Sequence, residues 1–171
     1  GTSVLKLFDL TAASTGLNEK QARAAGVAYD KVVTYSASHA SYYPGARNMT
    51  VKTLFDPASG RILGAQIVGF DGVDKRIDVL AAAIRAGLTA EQLTELDLAY
   101  APPYGSAKDP VNMAGYVIEN VRAGLVEQHH WDAVAELPAD GSVILLDVRT
   151  PGEVRKQGLL RSDALHIPLD E

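Results

Sequence analysis

Four tyrosines stand where side-chain chemistry is possible. Tyr42 and Tyr43 fall in one loop-forming stretch, HASYYPGA (39–46), and Tyr100 and Tyr104 in another, YAPPYG (100–105). A phenol can donate a proton or hydrogen-bond a thiolate or an oxyanion. The competing reading is that each tyrosine anchors its loop through an apolar ring and a polar tip. Spacing does not distinguish the members of either pair. Pro102 and Pro103 fix φ and remove two backbone donors, and Gly105 adds a flexible point, so the second stretch is a stiff loop. Lys108 and Asp109 read as a surface lysine and a helix N-cap. Other clusters offer less. His129 and His130, beside Trp131, have no neighbouring Asp, Glu or Cys set to complete a ligand constellation, so no metal is expected. Asp71, Asp74 and Asp78 have the spacing of a capped, solvated helix start.

Composition narrows the classes further. The chain has 171 residues, 47% hydrophobic and 22% charged, which suits one or two small globular domains. A formal net charge of -5 gives no electrostatic footprint for nucleic acid. No apolar run approaches the roughly 18 residues of a membrane span, and no charged-then-apolar leader is visible, so a cytoplasmic setting without membrane contact is expected. There is no cysteine, hence no disulfide, thiolate metal site or cysteine nucleophile within the chain. No GxGxxG follows a strand, and no nucleophile–base pair is apparent, so a stand-alone hydrolase or transferase is poorly supported.

These residues are positioned by a readable series of elements. Residues 4–10 form a short strand-like run, and Asn18 to Gln21 resembles a capping box whose helix ends at Gly26. Tyr29 to Ser38 alternates and is rich in β-branched residues, predicting a strand. Two more strands, Asn48–Phe55 and Ile62–Phe70, flank the turn residues DPASG (56–60) as a hairpin. Residues 71–87 are helical by the spacing of Ile77, Leu80, Ala81 and Ile84, and Thr89 to Gln92 opens a short helix to about Leu96. Asp109 followed by Pro110 starts a further helix that Gly124 stops. The order predicts an α+β fold, an antiparallel sheet with helices on one face. Beyond it, Trp131–Leu137 reads as a short helix and Ser142–Val148 as a continuous apolar strand suited to a parallel sheet.

The stretch YAPPYGSAKDPVNMAGY (100–116) resembles the signature of the C-terminal dimerisation domain of flavin-dependent pyridine nucleotide-disulfide oxidoreductases. The nearest branch holds coenzyme A-disulfide reductases, NADH oxidases and polysulfide reductases. The likeness extends through residues 1–26, 39–46 and 71–89, so the dimerisation domain is assigned to 1–125. The resemblance implies a fragment of a homodimeric enzyme passing electrons from NAD(P)H through FAD to a small disulfide, coenzyme A disulfide or polysulfide. It implies that at least one of Tyr42 and Tyr43 and at least one of Tyr100 and Tyr104 reach across the dimer toward the partner's catalytic site, and it leaves open which. Pro102, Pro103, Gly105 and Lys108 would then lie along the partner's flavin. The isolated fragment, lacking the Gly-rich cofactor folds, is expected to self-associate, to be inactive and to bind neither FAD nor NAD(P)H. The alternative is a non-catalytic dimerisation scaffold of an NADH oxidase-type flavoenzyme.

Residues 126–171 carry a second resemblance. LLDVRTPGEV (145–154) and ALHIPLDE (164–171) are similar to the opening of a rhodanese-like α/β domain, of which less than half is present. That family's sulfur-carrying cysteine would lie beyond Glu171, so no sulfurtransferase activity is expected from this chain. Asp147 and Arg149 would orient the loop after the strand. An attached sulfur-relay domain favours a sulfur acceptor over oxygen, by analogy of fold.

Overall fold

The computed structural model describes residues 1–170. The chain divides into two compact units, residues 1–127 and 128–171. Glu171, the last residue of the stretch 164–171 likened to a rhodanese-like domain, lies outside the described residues.

In the first unit, five strands form one sheet: β1 (Ser3–Leu7), β2 (Leu10–Gly16), β3 (Asp30–Ala37), β4 (Asn48–Phe55) and β5 (Ile62–Gly69). The order is β1-β2-β5-β4-β3, and every neighbouring pair is antiparallel. Helix α1 (Glu19–Ala24) follows β2, and α2 (Val73–Ala86), α3 (Ala90–Thr94) and α4 (Pro110–Arg122) follow β5. The α+β architecture matches the expectation. One strand, β2, was not foreseen: residues 4–10 are not a single strand but hold most of β1, the turn and the first residue of β2 in a hairpin. Phe8, with φ of 53°, turns the chain there. The small side chains of Leu10–Gly16 give little apolar signal, and their pairing with β5 depends on backbone groups rather than on side-chain pattern.

One face of the sheet builds the core. Val32, Val51, Phe55, Ala65 and Ile67 pack with Val73, Ile77 and Leu80 of α2 and with Val111 and Ile118 of α4. Each such Leu, Ile or Phe contributes about 1.5–3 kcal/mol by leaving water. Because strand side chains alternate, Lys31 and Lys52 point away from that face. There the Glu19 carboxylate of α1 receives Lys31 Nζ at 3.0 Å and Lys52 Nζ at 2.5 Å.

Helices α3 and α4 meet closely. Gly115 is required at their contact, since a Cβ would stand 2.7 Å from the Ala90 carbonyl oxygen. Asn112 closes the same junction by donating its amide to the carbonyls of Leu93 and Leu96, at 2.9 and 3.0 Å. The start of α4 is thereby fixed against α3, and with it the loop that precedes it.

The second unit contains a 3₁₀ turn (Trp131–Glu136), β6 (Leu146–Asp147), α5 (Pro151–Gln157) and β7 (Leu165–His166). The predicted strand across Ser142–Val148 shrinks to two residues because its parallel partner β7 offers a register of only two. The predicted helix at 131–137 is likewise a 3₁₀ turn.

Candidate functional site

The site grows from the beginnings of α2 and α4. Pro110 holds Asp109 in an extended conformation (φ -65°, ψ 152°), and the carboxylate accepts from the Val111 N–H at 3.1 Å. This is the helix cap the sequence announced, but the same carboxylate has a second task. Arg76 of α2 grips it, Nε to Oδ2 at 3.1 Å and Nη2 to Oδ2 at 2.9 Å. Both residues are almost wholly buried, Arg76 at 1% exposed and Asp109 at 3%. A buried guanidinium must satisfy its remaining donors, and it does so on backbone. Nη1 donates to Gly72 O at 3.2 Å, and Nη2 to Ser38 O at 3.0 Å and Tyr104 O at 3.4 Å. Gly72, at φ +68°, has no side chain for good reason: a Cβ would stand 2.1 Å from Arg76 Nη1.

Two loops close over this pair. The Ala40 N–H donates to Gly105 O at 2.9 Å and to Pro102 O at 3.3 Å, joining the 39–46 loop to the 100–105 loop. The phenolic oxygens of Tyr42 and Tyr100 then meet at 3.0 Å. Their hydrogen bond pushes the Tyr42 phenol above the ordinary tyrosine value, with burial and repulsion from Tyr100 adding to it. In such a pair one hydroxyl donates to the other, and the second O–H is left to donate outward. A cavity of about 470 Å³ lies alongside, walled by His39, Asp71, Lys75, Tyr100, Pro103 and Tyr104 among others. Lys75 Nζ is tethered to Ala99 O at 3.3 Å and stands 3.9 Å from Asp109 Oδ2.

The four candidate tyrosines therefore separate. Tyr42 and Tyr100 are brought together, and Tyr104 shares the cavity wall with Tyr100. Tyr43 turns its ring edge-on to His39, 5.8 Å between centroids. Pro103 lines the cavity, whereas Pro102 and Gly105 act through their carbonyls. Lys108 lies over the Tyr116 ring at 4.7 Å, a cation–π contact. Arg76 was missed from sequence. Its signal was present: it sits beside Ile77 on the stripe of Val73, Ile77 and Leu80, and a cation on a buried stripe demands a buried partner.

The buried guanidinium of Arg76 is committed to Asp109 and three carbonyls. Among the described residues no group of three or more His, Cys, Asp or Glu could hold a metal ion, and no helix is long and apolar enough to cross a membrane.

In the second unit, Arg149 bridges Asp147, with Nε to Oδ1 at 2.9 Å and Nη2 to Oδ2 at 2.6 Å. These bonds hold the Asp147 carboxyl down at about 2 against the opposing effect of desolvation. Arg149 also reaches Gln157 Oε1 at 2.9 Å and Gly158 O at 2.8 Å, and a ring nitrogen of His166 lies 2.7 Å from Arg149 O. The pair fastens the β6–α5 turn to the end of α5.

Comparison with known proteins gives a consistent picture. Residues 2–110 match the family described as pyridine nucleotide-disulphide oxidoreductase, dimerisation domain. A coenzyme A disulfide reductase of Staphylococcus haemolyticus is 47% identical over 116 residues, which is 68% of this chain and 26% of that protein. The crystal structure of reduced Bacillus anthracis CoADR-RHD superimposes with a TM-score of 0.93 at 49% identity, covering 100% of this chain and 30% of the other. A NAD-dependent persulfide reductase from A. fulgidus gives 0.86 at 42% identity, covering 99% of this chain and 30% of the other. The chain thus spans about a quarter of the length of the curated relatives it matches.

Proposed function

Because this chain belongs to the pyridine nucleotide-disulphide oxidoreductase family through its dimerisation domain, we propose that it completes the active site of a disulfide reductase across a homodimer. In that enzyme NAD(P)H and FAD supply the two electrons that break a sulfur–sulfur bond. The part given to this chain is to present a paired phenol. When the bond breaks, the outward O–H of the Tyr42–Tyr100 pair donates a hydrogen bond or proton to the departing thiolate. The single observation that carries the reading is the 3.0 Å contact between two phenols 58 residues apart, both substantially exposed.

A sulfur acceptor is favoured over oxygen. Coenzyme A disulfide reductase and persulfide reductase are the names carried by relatives more than 40% identical to this chain. Residues 126–171 are assigned to the opening of a rhodanese-like domain, in keeping with sulfur chemistry. The homodimer would form through the sheet and hairpin. Val4, Leu5 and Leu7 of β1, Tyr35 of β3 and Val68 of β5 are exposed, and a stable interface of about 800 Å² per partner needs apolar surface of this kind.

The test uses the full-length enzyme that contains this chain. NADH oxidation is followed with coenzyme A disulfide, polysulfide and oxygen as separate acceptors, for wild type, Tyr42→Phe and Tyr100→Phe. Selective loss with one sulfur acceptor supports the reading and names the substrate. Unchanged rates with all three would leave the domain as a dimer scaffold of the NADH oxidase kind.

A further inference from the structure

We propose that Arg76 is a positioning residue, whose buried guanidinium clamps the carbonyls of Ser38 and Tyr104 to Asp109 and thereby sets the separation of the Tyr42 and Tyr100 phenols. The inference rests on the reading of those phenols as active-site groups, and it adds a residue that touches neither.

Tyr42 is 74% exposed and Tyr100 49%, so packing within this chain leaves the Tyr42 ring largely unsupported. Their contact follows from where the two loops place their backbones, which the Ala40 N–H joins directly and Arg76 anchors from behind. Ser38 lies four residues before Tyr42, and Tyr104 four residues after Tyr100. Arg76 Nη2 donates to the carbonyls of both, at 3.0 and 3.4 Å. The same nitrogen and Nε hold Asp109, the first fixed point of α4. Because the guanidinium is planar and rigid, neither carbonyl can shift without disturbing the other or breaking the carboxylate pair. Gly72 completes the clamp by accepting from Nη1 at 3.2 Å. Lysine can keep a charge opposite Asp109, but without the Nε and Nη1 donors of the fork it cannot hold Asp109, Gly72 O and the two loop carbonyls at once.

Arg76→Lys in the full-length enzyme is therefore the test. Thermal unfolding reports whether the fold survives, and tyrosine difference absorbance reports the phenol titration, with Tyr42→Phe identifying the step that belongs to Tyr42. The expected result is a folded protein in which the Tyr42 titration falls toward that of a free phenol. The expected kinetic result is a drop in kcat of about tenfold or more with little change in KM, as for a misplaced catalytic group. A folded variant with an unmoved Tyr42 titration overturns the proposal. A lowered titration with unchanged kcat upholds the clamp and instead removes the phenols from the reaction. Should Arg76→Lys fail to fold, the Arg76→Gln/Asp109→Asn double variant removes both charges together and is judged by the same readouts.

Discussion

The side-chain amide of Asn112, in the first turn of α4, donates to the carbonyls of Leu93, near the end of α3, and Leu96, just beyond it, at 2.9 and 3.0 Å. Its oxygen accepts from the Asp109 N–H at 3.0 Å, so one buried side chain serves two helix ends. Asn112→Ala leaves these groups without partners and should cost about 1–3 kcal/mol in urea unfolding. Asn112→Asp should cost more, because a carboxylate cannot donate to either carbonyl. Equal stability of the two variants would show that water reaches the junction.

The buried pair behind the tyrosine loops should be far less tolerant. Asp109→Ala removes one partner of the Arg76 ion pair and the cap on Val111 together. A loss of roughly 3–5 kcal/mol is expected from the stranded guanidinium. Restoring much of that loss by adding Arg76→Met, measured as a double-mutant cycle, would assign it to the uncompensated charge.

Glu19 gives the first unit an acid-sensitive tie. Burial works to raise its carboxyl, but hydrogen bonds from Lys52 and Lys31 outweigh it and bring the value from 4.5 to about 2. A carboxyl depressed in the folded state stabilises fully above its unfolded value, and that stability is lost as pH falls through the folded one. The contribution should therefore be intact above about 4.5 and fade between there and about 2. The wild-type urea midpoint should fall more steeply across that window than that of Glu19→Gln. Parallel profiles would remove Glu19 from the acid response.

Gly72→Ala places a Cβ 2.1 Å from Arg76 Nη1 on a backbone at φ +68°. The left-handed conformation alone should cost about 1–3 kcal/mol. The displaced guanidinium should also perturb the Tyr42 titration, which a purely local strain would leave alone.

Tyr42→Phe and Tyr100→Phe each remove one oxygen from an exposed hydrogen bond. Stability should change by no more than about 0.5 kcal/mol. Any loss of turnover in these variants is then a loss of chemistry, checked by matching melting temperatures.

What the sequence determined by itself was local. The Asn18–Gln21 and Asp109 caps, the turn between β4 and β5 and the period of α2 and α4 all involve partners a few residues apart. Residue type and spacing are enough to read such interactions, and the resemblance in residues 100–116 placed them in a family. The tertiary structure decided what depends on distant partners. β2 exists because β5 pairs with it, not because LTAASTG is a strong strand sequence. Of four tyrosines with equal claims, the meeting of two loops selected Tyr42 and Tyr100 as the hydrogen-bonded pair. Asp109 looked like a cap and is also the counterion of Arg76, 33 residues earlier. Contacts of that range depend on which elements the sheet and helices bring together. A buried charge is satisfied only by the groups that the finished fold delivers to it.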